Sequence, residues 1–322
     1  MSNQTTDNNK RLDYLDVAKG IGILLVILGH CQLGRIGRAH SLIYSFHMPL
    51  FFFISGVCFS NKYTFSTLAV KRFRQIILPT IYFSIISTLL VDGLGLNVEW
   101  WDWSKHFPFA LWFLPVLYFT ELVAWLICNK IISKVSYVIF LLALLFLPHL
   151  LSHFSVDLVY SIASIPIAAF FYLIGYSIKT IVRNFKSHLW GWCLLLAFLN
   201  VVIVRYGHVS MELASGHISP FIIAEIAAFA GIFSCLCLSK GLTYGGGKYE
   251  LKQILIWFGQ NSLCLMLVHQ LIKVVLDECV LSFIDNHFIV MTLQICLTLV
   301  FSVLITIVVT NYIPFIIGKK SK

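Results

Sequence analysis

Apolar residues run along this chain in long stretches, interrupted by short segments where charged residues, glycine, asparagine and serine collect. Ten such stretches lie at 15–33, 41–59, 75–91, 107–128, 135–151, 159–178, 189–204, 218–238, 254–276 and 288–313. A helix needs roughly 20 mainly apolar residues to cross the hydrocarbon core of a bilayer. The pattern therefore predicts an all-α polytopic membrane protein with about ten transmembrane helices.

The basic residues test that count. One side of the alternation carries Lys10, Arg11, Lys62, Lys71, Arg72, Arg74, Lys130, Lys134, Lys179, Arg183, Lys186, Lys240, Lys248, Lys252, Lys319, Lys320 and Lys322. The other has Arg35, Arg38, Lys105, Arg205 and Lys273, and Lys19 stays inside the first stretch. A missed helix would invert every later loop and scramble this 17-to-5 division. The bias puts both termini in the cytoplasm. The longest loops, at 61–74, 93–106, 206–217 and 239–253, leave no room for a second domain. Residues 1–322 thus read as a single integral-membrane domain with a polar cytoplasmic tail at 1–10, and the first apolar run is retained as an anchor.

Composition closes off the other classes. The chain has 322 residues, 59% hydrophobic and 11% charged, against about 45–50% and about 25% in soluble domains. A soluble enzyme is excluded, and 27 Phe, 13 Tyr and 8 Trp exclude a disordered chain. The net charge of +9 is spread between hydrophobic segments and forms no stripe, so it is a topology signal and no nucleic acid is expected. Nine scattered cysteines make neither an even disulfide framework nor a zinc site, and no metal is expected.

Candidate chemistry lies in polar groups that a bilayer does not tolerate unless they are paired or face water. In LDYLDVAKGIGILLVILGH, Asp16 and Lys19 share a helix face, and His30 follows Lys19 by eleven residues, roughly 16 Å of helix rise. Lys19 either pairs with Asp16 and snorkels or serves a site, and His30 either caps the helix end or acts as a base. In SFHMPLFFFISG, His47 precedes Pro49 by two residues, which fits a kink or a cavity wall, and Gly56 reads as a close helix contact. In KRFRQIILP, Lys71 and Arg74 converge on one helical face beside Arg72; they suit a phosphate or anionic lipid. Trp112 in LWFLP is an interfacial or a cavity residue. Asn261 and His269 in GQNSLCLMLVH lie eight apart, nearly on one face, and Asn261 equally suits an interhelical hydrogen bond. EWWDWSKH carries Trp100, Trp101 and Trp103, which read as interface anchors.

YLDVAKGIGILLVILGH, FHMPLFFFISG, KRFRQIILP, LWFLP and GQNSLCLMLVH, in that order, resemble the membrane acyltransferase 3 family, in the branch of fucose 4-O-acetyltransferases and related O-acetyltransferases. The resemblance covers most of the chain. It implies transfer of an acetyl group from cytoplasmic acetyl-CoA to a hydroxyl of a cell-envelope glycan or lipid-linked sugar, in a bacterial inner membrane. It makes His30 the catalytic base, with Asp16 and Lys19 in the catalytic group and Lys19 or a neighbour at the oxyanion. Lys71, Arg72 and Arg74 become the acetyl-CoA contacts, and His47, Trp112, Asn261 and His269 the acceptor cavity. Two departures stand out: Lys19 where many members have arginine, and Lys71 with Arg74 where many have two arginines. Lysine keeps the charge but lacks the bidentate fork. Two readings compete: a transporter or flippase for a glycan or small anion, and transfer of another acyl group such as succinyl.

Overall fold

A computed structural model describes residues 12–31, 39–96, 109–131, 133–154, 158–185, 189–245 and 248–319. The tail at 1–10, the tryptophans at 100, 101 and 103, and the loop cations Lys10, Arg11, Arg35, Arg38, Lys105, Lys186, Lys320 and Lys322 lie outside the described residues.

Helices occupy all ten expected stretches: α1 (Asp13–His30), α2 (Ala39–Tyr44) with α3 (His47–Cys58), α4 (Phe65–Arg72) with α5 (Leu78–Gly93), α6 (Phe113–Lys130), α7 (Lys134–His153), α8 (Ile165–Ser177) followed by the short α9 (Lys179–Asn184), α10 (Leu189–Tyr206), α11 (Ile223–Tyr244), α12 (Tyr249–Gln260) with α13 (Ser262–Cys279), and α14 (His287–Tyr312). Side-chain caps mark several starts. Thr64 accepts from the Thr67 amide at 3.3 Å, Ser133 from the Ser136 amide at 3.0 Å, and Asn286 from the amides of Phe288 and Ile289 at 3.1 Å. Each satisfies a backbone donor that the first turn leaves without a partner.

Six runs among the described residues are long and apolar enough to cross a membrane: Ala39–Cys58, Phe65–Gly93, Ala110–Lys130, Lys134–His153, Ile223–Tyr244 and His287–Tyr312. Ser161–Ser177 and Trp190–Tyr206 are apolar but shorter. α1 stands apart because it carries Asp13, Asp16 and Lys19, and the ninth stretch because it breaks at Asn261. The chain is a multi-pass membrane protein built of helices.

Three local departures bear on function. The eighth stretch does not start as helix at 218: Ser210–Glu212 (β1) pairs antiparallel with His217–Ser219 (β2), with Met211 opposite Ile218, and α11 begins only at Ile223, after Pro220. A π-turn, Phe73–Ile77, separates α4 from α5 within the basic cluster. Asn261 ends α12 and starts α13, so the ninth stretch is two helices.

Two crossings set the frame. A Cβ on Gly56 of α3 would lie 1.8 Å from the Tyr172 carbonyl oxygen in α8, and one on Gly175 would lie 2.2 Å from that of Phe53. Gly20 of α1 and Gly259 of α12 show the same reciprocity, at 2.1 Å from the Leu255 oxygen and 1.9 Å from that of Asp16. Paired glycines bring backbones into contact where lipid supplies no hydrophobic drive for helices to associate. α1 is thereby packed among α3, α11, α12 and α13.

The outer helices invert the soluble rule. The buried residues of α14 are Gln294, Thr298, Ser302, Thr306 and Val309, while Phe288, Val300, Leu304 and Val308 face outward. α7 buries only Pro148 and exposes Val135, Ile139 and Phe140. Hydrocarbon outside and hydroxyls inside is an arrangement for lipid.

Candidate active site

His30 ends α1, and three further elements bring polar rings to it. The ring of His269, from α13, lies 5.4 Å from that of His30. Tyr44, at the end of α2, places its hydroxyl 3.4 Å from His30 Nδ1. The Tyr44 ring also stacks on His40 at 3.8 Å and meets His47, the first residue of α3, edge-on at 4.7 Å.

Two tautomers follow from hydrogen-bond partners. His47 Nδ1 is 2.8 Å from the Ile43 carbonyl, and His269 Nδ1 is 3.0 Å from that of Leu265 and 3.1 Å from that of Met266. A carbonyl only accepts, so both rings carry their proton on Nδ1 and present Nε2 as a lone pair. Among the described residues His269 Nε2 is buried without a hydrogen-bond partner.

His30, His40, Tyr44, His47 and Trp112 line one cavity of about 300 Å³, completed by apolar residues such as Val26, Met48 and Met266 and by residues 211–215 of the β-hairpin. Trp112 joins the histidines through the 3₁₀ turn Phe109–Trp112 that leads into α6. The hairpin is held by Met211 and Leu213, each 2% exposed, and by the Ser164 hydroxyl, which donates to the Leu213 carbonyl.

The remaining expected residues are placed elsewhere. Lys19 Nζ is 2.7 Å from the buried carboxylate of Asp16, and eleven residues of helix separate Lys19 from His30 by roughly 16 Å, with Asp16 further still. Neither reaches the imidazole, so Lys19 does not stand at an oxyanion formed there. Asn261 also stays away from the histidines: its side-chain amide donates to the Trp257 carbonyl at 3.0 Å, at the helix break. The eight-residue spacing to His269 assumes one unbroken helix, and the break removes that assumption.

The basic cluster divides three ways. Lys71 donates to the Tyr63 hydroxyl at 2.9 Å and lies 4.3 Å over its ring. Arg72 turns inward, with Nε 2.5 Å from Oε2 of the buried Glu121 in α6 and Nη1 donating to Gln75 Oε1 at 3.0 Å. Arg74 is exposed within the π-turn. The wider turn breaks the three-residue spacing that would align Lys71 with Arg74. The three cations thus do not form a single fork.

A second cavity, about 380 Å³, is almost wholly apolar and runs past Tyr14, Phe185, Trp192 and Lys240. The Lys240 ammonium is occupied by the carbonyls of Val182 at 2.8 Å, Phe185 at 2.7 Å and Arg183 at 3.5 Å. It caps the C-terminal end of α9 and is not available as an acid or base. Among the described residues no group of three or more His, Cys, Asp or Glu side chains is placed to hold a metal ion.

His40, Tyr44 and the hairpin residues escaped the sequence reading; Glu121 was visible as a charge in the fourth stretch, but not its pairing with Arg72. His40, Tyr44 and His47 follow at intervals of four and three, a one-face spacing that was there to be found. Met211 and Leu213 turn inward in a region, 206–217, that reads as loop.

Residues 12–311 match the sequence pattern of an acyltransferase domain, acyltransferase 3. A curated relative, the nodulation protein NolL of Mesorhizobium japonicum, is 33% identical over 156 residues, covering 39% of this chain and 41% of NolL. The matched region thus spans about two fifths of that relative's length.

Proposed function

This chain belongs to the acyltransferase 3 family, and from that premise we propose that it moves an acetyl group from cytoplasmic acetyl-CoA to a hydroxyl of a cell-envelope glycan. The acceptor is an O-antigen, capsule or exopolysaccharide sugar, free or lipid-linked. The protein crosses the bacterial inner membrane ten times with both termini in the cytoplasm, a reading that rests on the charge bias of the loops. The observation that carries the proposal is the placement of the histidine-lined cavity at one end of α1 and of Lys19 toward the other, where Lys19 and Arg72 both lie near Cys58. Acetyl-CoA has the same two-ended chemistry, a polyanionic nucleotide joined by a long arm to a thioester.

His30 takes the proton of the acceptor hydroxyl as that oxygen attacks the thioester carbonyl. Collapse of the tetrahedral adduct forms the ester, and the departing thiolate recovers the proton from His30. Tyr44 orients the ring through Nδ1, and the lone pairs of His47 and His269 favour the imidazolium that forms transiently. Lys71 and Arg74 meet the donor's phosphates, while Arg72, held by Glu121, positions the segment that carries them.

The test is label transfer in inside-out vesicles supplied with acetyl-labelled acetyl-CoA and a glycan acceptor. Wild type should transfer label and His30→Ala, at equal abundance, should lose at least about a hundredfold, the usual scale for a general base. Undiminished transfer by the variant removes His30 from the mechanism. No transfer by correctly inserted wild type overturns the acetyltransferase reading.

A further inference from the structure

The hairpin over the histidine cavity carries a charge that the mechanism does not use. Glu212 ends β1 between Met211 and Leu213, which are both buried. Alternation along a strand sends it the other way. It is exposed yet lines the cavity, and so stands where the cavity opens.

Its position is fixed from several sides. The Ser215 hydroxyl donates to the Glu212 carbonyl at 3.1 Å, and the Ser164 hydroxyl holds the next residue's carbonyl. Gly216 closes the turn at φ +73, where a Cβ would come within 3.0 Å of Ala163. His217 lies opposite Glu212 in the ladder, but no ion pair joins them, and among the described residues the Glu212 carboxylate has no hydrogen-bond or salt-bridge partner. Among the described residues the other polar lining groups are imidazoles, a phenol, an indole and the Ser215 hydroxyl, with no lysine or arginine.

A lone carboxylate at the mouth of a cavity walled by aromatic rings suits one chemistry. It accepts hydrogen bonds from vicinal hydroxyls, while the rings pack against the apolar face of a sugar. It also repels anions. The polyanionic end of the donor is thereby kept from this end of the bundle, and so are acidic sugars. The volume, about 300 Å³, sits at the low end of ligand pockets, roughly 300–1,000 Å³, which fits a single ring better than an oligosaccharide.

We propose that Glu212 is the acceptor-recognition residue, hydrogen-bonding the hydroxyls of one uncharged sugar ring at the cavity mouth and excluding anionic sugars. This rests on the acyl-transfer reading for the identity of the acceptor, but binding can be measured without turnover.

The experiment uses the full chain with para-nitrophenyl α-fucoside, β-glucoside and β-glucuronide, first for equilibrium binding and then as acceptors with acetyl-CoA. Wild type should bind a neutral glycoside and reject the glucuronide. Glu212→Ala should weaken the neutral glycoside at least about tenfold, the scale of a hydrogen bond to a charged group. Its KM for the glycoside should rise while that for acetyl-CoA stays put. Glu212→Gln, which keeps the shape and an acceptor oxygen, should lose less neutral affinity and admit the glucuronide. A merely structural role would not change that charge selectivity. Unchanged affinity and selectivity in both variants overturn the proposal, as does a wild type that binds none of the three. Binding that depends on Glu212 without any acetyl transfer would keep this site and overturn the transferase reading. Transfer with an unaltered glycoside KM in Glu212→Ala would do the reverse.

Discussion

Removing either partner of the Arg72–Glu121 pair separates the two roles open to Arg72, donor contact and internal brace. The Glu121 side chain is 4% exposed and that of Arg72 32%, with 2.5 Å between Nε and Oε2. Truncating one partner of a buried pair costs about 3–5 kcal/mol, because the other charge is left uncompensated. Water reaches the arginine side, so about 2–3 kcal/mol is the reasonable figure for Arg72→Ala after that discount. Arg72→Met with Glu121→Gln removes both charges together and should recover most of the loss, a coupling of about 2 kcal/mol. Thermal unfolding in detergent micelles, followed with a thiol-reactive dye, reads this directly, because Cys31, Cys193, Cys235, Cys237 and Cys264 are free and buried. If Arg72 is a brace, the double variant regains stability and its KM for acetyl-CoA stays near wild type. Additive destabilisation would refute the pairing. A double variant of restored stability with a strongly raised donor KM would refute the brace and put the guanidinium on the phosphates.

Two other outcomes follow from contacts at opposite scales. Gly56→Ala drives a methyl to within 1.8 Å of the Tyr172 oxygen, so α3 and α8 must part. The apparent unfolding temperature should fall by the equivalent of about 1–3 kcal/mol or more, whereas Gly93→Ala, with nothing within 4 Å of its Cβ position, should leave it unchanged; equal effects would remove the close crossing. The Lys71 ammonium beside Tyr63, through its hydrogen bond and its charge, holds that phenol below its ordinary value, which is about 10. The stabilisation from such a lowered pKa is fully present above the unfolded value and is lost as pH falls through the folded one, so stability near neutrality is unaffected. Absorbance at 295 nm, wild type minus Tyr63→Phe, should titrate below about 10 and shift upward in Lys71→Met; a midpoint that Lys71→Met does not move would dismiss the contact.

Hydropathy made all ten helical stretches visible because the bilayer asks for length and apolarity, which a single sequence displays. The Gly56 contact was visible for a related reason, since a small residue between large ones in a span has few other uses. What stayed hidden depends on where a helix stops being α. Lys71 and Arg74 converge only if the turn between them is regular, and Phe73–Ile77 is a π-turn. Asn261 reaches the face of His269 only along one helix, and it is the joint between two. For Lys19 the arithmetic was already sufficient: eleven residues from His30 along a straight helix kept it from that imidazole, whatever the resemblance implied. Glu121 was visible as an intramembrane charge, but its partner sits 49 positions away in sequence, and no local period encodes that pairing.

α14 hides Gln294, Thr298, Ser302 and Thr306 and shows its hydrocarbon. The force that collapses soluble proteins therefore delivers this helix to the bilayer and then has nothing left to say about which neighbour it should choose. Insertion and assembly become separate stages with separate determinants. A methylene added to the outer face of α14 changes its partition into lipid and leaves its docking alone, whereas a methyl added at Gly56 or Gly259 leaves insertion intact and weakens assembly. Lesions of the second kind, once they outweigh the stability of the packed bundle, would yield a chain that is correctly threaded, protected from cytoplasmic proteases along its spans, and yet without a folded interior.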